Sequence, residues 1–138
     1  MPVTPEQLVR EALEAMHFAY VPYSGFTVGA ALLTKSGKVY RGCNIENAAY
    51  GPSNCAERTA IFTAVFEGKR DFAAIAVVGG KDGVASDFFP PCGVCRQVMR
   101  EFCGDDFLIY MITPEGCEAH TLAEILPFSF SAQKHMHA

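Results

Sequence analysis

Leu8, Val9, Ala12, Leu13, Met16, Ala19 and Tyr20 recur at the interval that lines one face of a helix. Thr4 precedes them as an N-cap, Pro5 takes the first helical position and Gln7 completes a capping box, so this amphipathic helix has its start signal in place. Pro22 follows where it must stop. The period then changes. "FTVGAALLT" and "VYRGCNI" read as strands joined by a tight hairpin at "KSGK". "NCAERTAIFTAVFEG" reads as a helix from about residue 54 to 67, closed by Gly68. It is apolar nearly all round, which predicts a central, buried helix. "AAIAVVG" is a continuous apolar run, the pattern of an interior strand covered on both faces. "GGKDGVASDFFP" is expected to be a loop of about 12 residues, long enough to carry function. "CGVCRQVMREFCG" is a further helix. "FLIYMIT" is a strand, "PEG" a turn, "CEAHT" a strand and "LAEIL" a short helix stopped by Pro127.

The expected order is α-β-β-α-β-α-β-β-α. An opening hairpin followed by β-α-β units places antiparallel and parallel pairs in one sheet. The predicted fold class is therefore α/β, a single mixed five-stranded sheet with helices on both faces. The 138 residues contain no repeat, low-complexity segment or linker, so residues 1–138 are read as one domain, with 131–138 as a flexible tail. A net charge of −4 without any basic run argues against a nucleic-acid partner and for a small ligand. No apolar run has the length of a membrane span, and the charged N-terminal helix lacks the core of a signal peptide. The expected location is the cytoplasm, where thiols stay reduced. The six cysteines are then metal ligands, reactive groups or small core residues rather than a disulfide framework.

Three of them share a local context. Cys92 and Cys95 stand at the start of one predicted helix, and Cys55 at the start of another. Free N–H groups and the positive end of the helix dipole favour thiolates there, and thiolates are what zinc binds. Three protein ligands with an open fourth position is the pattern of catalytic zinc. A fourth cysteine closing the site is the alternative, with Cys43, Cys103 and Cys117 as candidates. Cys103 falls about 12 Å along a continuous helix from Cys95 and is set aside. A redox pair at Cys92 and Cys95 is another reading, one that leaves Cys55 and Glu57 without a task. Glu57 also has a bland reading, as the partner of Asn54 in a capping box.

C-x-E at one helix start and P-C-x-x-C at another resembles the signature of zinc-dependent nucleoside and nucleobase deaminases. "NIENAAYGPSNCAERTAIF", "PPCGVCRQVMREF" and "YSGFTVGAALL" are similar to the small homotetrameric cytidine deaminases. The resemblance implies deamination of cytidine and 2′-deoxycytidine in pyrimidine salvage, with one Zn²⁺ per chain on Cys55, Cys92 and Cys95. It implies that zinc activates a water for attack at C4 of the base, with Glu57 carrying protons to N3 and to the departing amine. Arg58 is implied to hydrogen-bond the ligand sulfurs and offset their charge. Asn44 and Glu46 are implied to hold the ribose, the amide of Ala56 the base carbonyl, and Phe26 to pack on the substrate. Tyr50 and Phe130 are implied to reach a neighbouring subunit's site. Departures from the family pattern fall at Gly25 and Thr27, where the usual residues are His and Pro, and at Pro90, where Ser is common. At Pro90 only a backbone carbonyl is expected to matter.

Overall fold

The computed structural model of the chain describes residues 2–85, 89–113, 116–132 and 136. Residues 114–115 of the expected turn, 86–88 of the expected loop, and 133–135 and 137–138 of the expected tail lie outside the described residues. The elements are α1 (Pro5–Met16), β1 (Phe26–Thr34), β2 (Val39–Cys43), α2 (Ala56–Phe66), β3 (Phe72–Lys81), α3 (Gly93–Phe102), β4 (Leu108–Thr113), β5 (Gly116–Thr121) and α4 (Leu122–Ile125). Both halves of the capping box at Thr4 and Gln7 are formed.

The five strands form one sheet in the order β2-β1-β3-β4-β5. β3 and β4 pair in parallel, with α3 in the connection between them, and the other neighbours are antiparallel. Alternation along the strands divides the core in two. Ala31, Ala74, Ala76 and Val78 face α1, where Leu8, Ala12 and Met16 cover them. Leu32, Ile75, Val77 and Ile109 face the other way, against Ile61 of α2, Met99 of α3 and Leu122 of α4. Each fully buried Leu, Ile or Met side chain contributes roughly 1.5–3 kcal/mol by leaving water. β3 is covered on both sides, which is why its sequence lacks a polar alternation. None of the helices among the described residues is long and apolar enough to cross a membrane.

Two glycines set how closely the helices approach. A Cβ on Gly42 of β2 would run into the Ala56 carbonyl oxygen and the Ala60 nitrogen, so the first turn of α2 rests directly on the strand backbone. Gly29 of β1 does the same on the opposite face, against Ala12 and Met16 of α1.

The structure departs from three sequence expectations. α1 ends at Met16, so Ala19 and Tyr20 lie beyond it; Tyr20 forms a parallel bridge with Ile45 instead. β3 continues through Gly79 and Gly80 to Lys81, because β1 is long enough to pair with all three. The expected long loop therefore starts later. Lastly, α2 is not central: Ala56, Glu57, Ala60, Ile61 and Ala64 are buried, whereas Phe62 and Phe66 on its outer side are exposed, Phe66 to 90%. One layer of sheet covers only one side of a helix.

Candidate functional site

The N-termini of α2 and α3 converge on one cleft. Cys55 is the N-cap of α2, Cys92 is the N-cap of α3, and Cys95 follows in the first turn of α3. The Sγ of Cys92 accepts a hydrogen bond from the Cys95 amide at 3.4 Å. It lies 3.7 Å from Cys55 Sγ and 3.3 Å from Cys95 Sγ. All three sulfurs fall within 4.8 Å of one another, and they are the metal-ligating group found among the described residues. Three thiols gathered at two helix N-termini fit a thiophilic divalent ion with three protein ligands. Cys43, Cys103 and Cys117 are not in the cluster. Cys103 caps the far end of α3, where burial pushes its thiol up to about 12. Cys55 sits as near to Cys92 as a cluster member, which a two-cysteine redox pair does not account for.

The electrostatics of the cluster favour charge on sulfur. The Cys55 thiol is lowered to about 5, first by a hydrogen bond from Cys95 and then by Arg58. Cys95 is raised correspondingly, because it supplies that proton and is buried. Arg58 Nη2 donates to Cys55 Sγ at 3.3 Å. Burial alone would lower the Arg58 pKa, yet its bonds to the Cys55 and Cys95 sulfurs outweigh that and raise it. Its Nε is buried and has no hydrogen-bond partner among the described residues, an arrangement that suits a neighbouring negative group.

Glu57, in the first turn of α2, is 3% exposed and lines the cleft. Burial pushes its carboxyl up to about 7; its own backbone N–H partly offsets this, and the Cys55 charge adds to it. It does not form the capping box that its spacing from Asn54 suggests. The N-cap is Cys55, and Asn54 instead donates its Nδ2 to Thr59 Oγ1 at 3.1 Å. A carboxyl group near neutrality beside a metal-binding cluster is chemically suited to accept and return a proton.

The cleft has a volume of about 480 Å³. Asn44, Glu46 and Ala56 line it beside Glu57, with Val28, Val77 and Phe89 as its apolar walls and Pro90 at its edge. Asn44 ties down the start of β1: its Oδ1 accepts from the Val28 amide and its Nδ2 donates to the Phe26 carbonyl, both at 2.9 Å. One N–H and one lone pair of that side chain are left for a ligand. Glu46 Oε1 accepts from the amides of Tyr23 and Ser24, and its Oε2 from the Ser24 hydroxyl, which holds its pKa below the usual carboxylate value. Both side chains are thus pre-oriented by bonds the fold already makes.

Three residues named from the sequence lie outside the lining of this cleft. Phe26 stands beside it, its ring 6.1 Å from that of Phe89. Tyr50 is 75% exposed with a left-handed backbone and borders a separate hollow with Tyr23 and Ser24. Phe130 is 56% exposed, and its carbonyl accepts from Gln97 Nε2 at 2.9 Å. The sequence reading missed Ser24, Phe89 and Arg96. Arg96 bonds the Pro91 carbonyl through Nε and the Ile125 carbonyl through Nη1, both at 2.7 Å, and so fixes the entry to Cys92. Its place in "PCGVCRQ" was a signal of position only; its partner Ile125 is remote in sequence.

The chain matches the model of the cytidine and deoxycytidylate deaminase zinc-binding region over residues 2–111. It is 52% identical to a cytidine deaminase of Halalkalibacterium halodurans across 93% of this chain and 95% of the relative. It is 42% identical to a probable cytidine deaminase of Dictyostelium discoideum, covering 93% and 84%. Among solved structures, the crystal structure of cytidine deaminase from Burkholderia pseudomallei superimposes with a TM-score of 0.84 at 45% identity, covering 92% of this chain and 99% of that one. The Mycobacterium tuberculosis cytidine deaminase gives 0.78 at 39% identity, covering 91% and 95%.

Proposed function

The chain belongs to the cytidine and deoxycytidylate deaminase family, and from that premise we propose that it hydrolyses cytidine and 2′-deoxycytidine to uridine and 2′-deoxyuridine, releasing ammonia. The observation that carries this reading is the opening of three clustered cysteine sulfurs and one buried glutamate into the same cleft. Cys55, Cys92 and Cys95 would hold one Zn²⁺. When bound, the ion supplies the Lewis acidity that makes water nucleophilic near neutral pH.

Glu57 takes a proton from water at its carboxylate and gives it to N3 of the ring, and it then carries that water's second proton to the amine as the C4–N bond breaks. Its burial supports this work, because a carboxyl raised to about 7 both accepts and releases protons near neutrality. Arg58 offsets the negative charge that accumulates on the sulfurs. The Ala56 amide, in the first turn of α2, is a free helix N-terminal donor for the base carbonyl. Asn44 and Glu46 use their remaining hydrogen-bonding capacity on the sugar hydroxyls, and Phe89 of the lining, with the Phe26 ring against it at the cleft's side, gives the substrate an apolar surface to pack on.

Residues 1–138 act as one domain, and four such chains assemble. Phe130 and Tyr50, exposed and outside their own chain's cleft, reach the site of a neighbour. The chain works in the cytoplasm, where thiols stay reduced, and its role is pyrimidine salvage.

The test is direct. Purified protein with its zinc quantified is mixed with cytidine, and ultraviolet absorbance follows the conversion. The expected result is one zinc per chain and stoichiometric uridine and ammonia. Zinc-loaded protein that converts neither cytidine nor 2′-deoxycytidine would refute the assignment.

A further inference from the structure

Thr27 and Gly25 both meet the turn that follows β3. The Thr27 hydroxyl donates to the Gly80 carbonyl at 2.9 Å and accepts from the Gly83 amide at 3.1 Å. One side chain therefore spans the end of β3 and the turn that follows it. Asp82 and Gly83 both have left-handed backbones, with φ of 55° and 82°. The Asp82 amide donates to the Gly25 carbonyl at 2.9 Å. Gly25 itself has a φ of 75°, and a Cβ there would come within 3.4 Å of Asp82 Oδ1 and 3.7 Å of Lys81 Cε. Gly25 gives the turn room, and the Thr27 hydroxyl, donor and acceptor at once, gives it an anchor.

This anchor sits under the apolar wall of the cleft. Phe26 precedes Thr27 in β1, and Lys81 Nζ stands 5.6 Å over its ring. Phe89 lies on the backbone of Gly79, where even a Cβ would be 2.9 Å from its ring. The two rings meet at 6.1 Å and 51°. From this arrangement we infer that Thr27 is a positioning residue for nucleoside binding: its hydroxyl pins the end of β3 and the following turn to β1, and so fixes the Phe26–Phe89 wall against which the nucleoside packs. The inference rests on the deaminase reading above. Thr27 acts through its neighbours on binding; it is not among the residues that line the cleft, so the chemical step and metal loading are not expected to depend on it.

The test compares wild type with Thr27→Val, which keeps the shape and loses the hydroxyl, and Thr27→Ser, which keeps the hydroxyl. Steady-state kinetics with cytidine are measured on zinc-loaded protein, alongside the dissociation constant for uridine by calorimetry. Loss of a hydrogen bond of this kind changes an equilibrium by roughly two- to tenfold. The expected result is a KM and a uridine Kd raised by about that factor in T27V, with kcat and zinc per chain unchanged, and wild-type values in T27S. Thr27→Ala serves as the substitute if T27V does not fold, and the same rise is required of it. A wild-type KM without the hydroxyl, an equal rise in T27S, or a fall in kcat would overturn the inference. If the wild type has no turnover, the functional reading has failed; uridine binding then decides this inference alone, and equal Kd values for wild type and T27V reject it.

Discussion

Glu57 and Arg58 are adjacent in the chain and divide the electrostatics of the cleft between them. The carboxyl is buried, which raises its pKa, and the guanidinium donates to the Cys55 sulfur, which adds to the hydrogen bond from Cys95 in lowering the thiol's. Three thiolates on a divalent ion leave a net negative charge, and a permanently charged arginine beside them reduces it. Arg58→Ala should therefore weaken zinc binding by roughly 10–100-fold in a chelator competition, and Arg58→Lys should recover only part, since an ammonium cannot copy the fork. An unchanged affinity in R58A would remove Arg58 from this role. At this scale the sequence was legible where partners are close in the chain. The C-x-x-C spacing placed Cys92 and Cys95 on one helix turn as observed. Glu57 was ambiguous because Asn54-x-x-Glu57 also spells a cap, and only the start of α2 at Cys55 resolves it. Ser24 and Arg96 were illegible because what they bond, Glu46 and the Ile125 carbonyl, is brought to them by the fold alone.

Among the elements, α2 carries Glu57 and Arg58 and has Cys55 as its N-cap, so its seat on the sheet determines the site. That seat is Gly42, where the strand touches the Ala56 carbonyl and the Ala60 nitrogen. Gly42→Ala should push the first turn of α2 away, costing about 1–3 kcal/mol or more in chemical denaturation and lowering zinc affinity with it. Gly29→Ala provides the control. It should cost a similar amount by displacing α1 on the opposite face, while the protein that remains folded keeps wild-type zinc affinity. Equal zinc affinity in both variants would show that the close approach at Gly42 does not position the cysteines. Periodicity recovered the order of the elements and failed at their ends. Tyr20 fitted the helical period and joined a bridge to Ile45; Gly80 and Lys81 looked like loop and paired with Thr27 and Phe26. In each case a distant backbone partner decided the outcome.

For the whole molecule, the exposed aromatic side chains are what supports the proposed assembly. Phe66 is almost fully exposed on the outer side of α2, and Phe18, Phe62, Tyr50, Phe128 and Phe130 are exposed as well. Surfaces of this kind are characteristic of association sites. The all-round apolar character of α2, read from the sequence as burial within the chain, leaves Phe62 and Phe66 exposed; the proposed assembly would bury them between chains. Phe66→Asp should shift the sedimentation of the protein from a tetramer towards smaller species, and a wild type that sediments as a monomer would reject the assembly. The central claim, that an open three-cysteine zinc site works with Glu57 as its proton carrier, is tested most directly by measuring cytidine conversion and zinc content in Glu57→Ala beside the wild type. The account predicts one zinc per chain in both proteins and a rate in the variant lower by roughly 10²–10⁴-fold. A zinc-loaded variant that converts cytidine at the wild-type rate would contradict it.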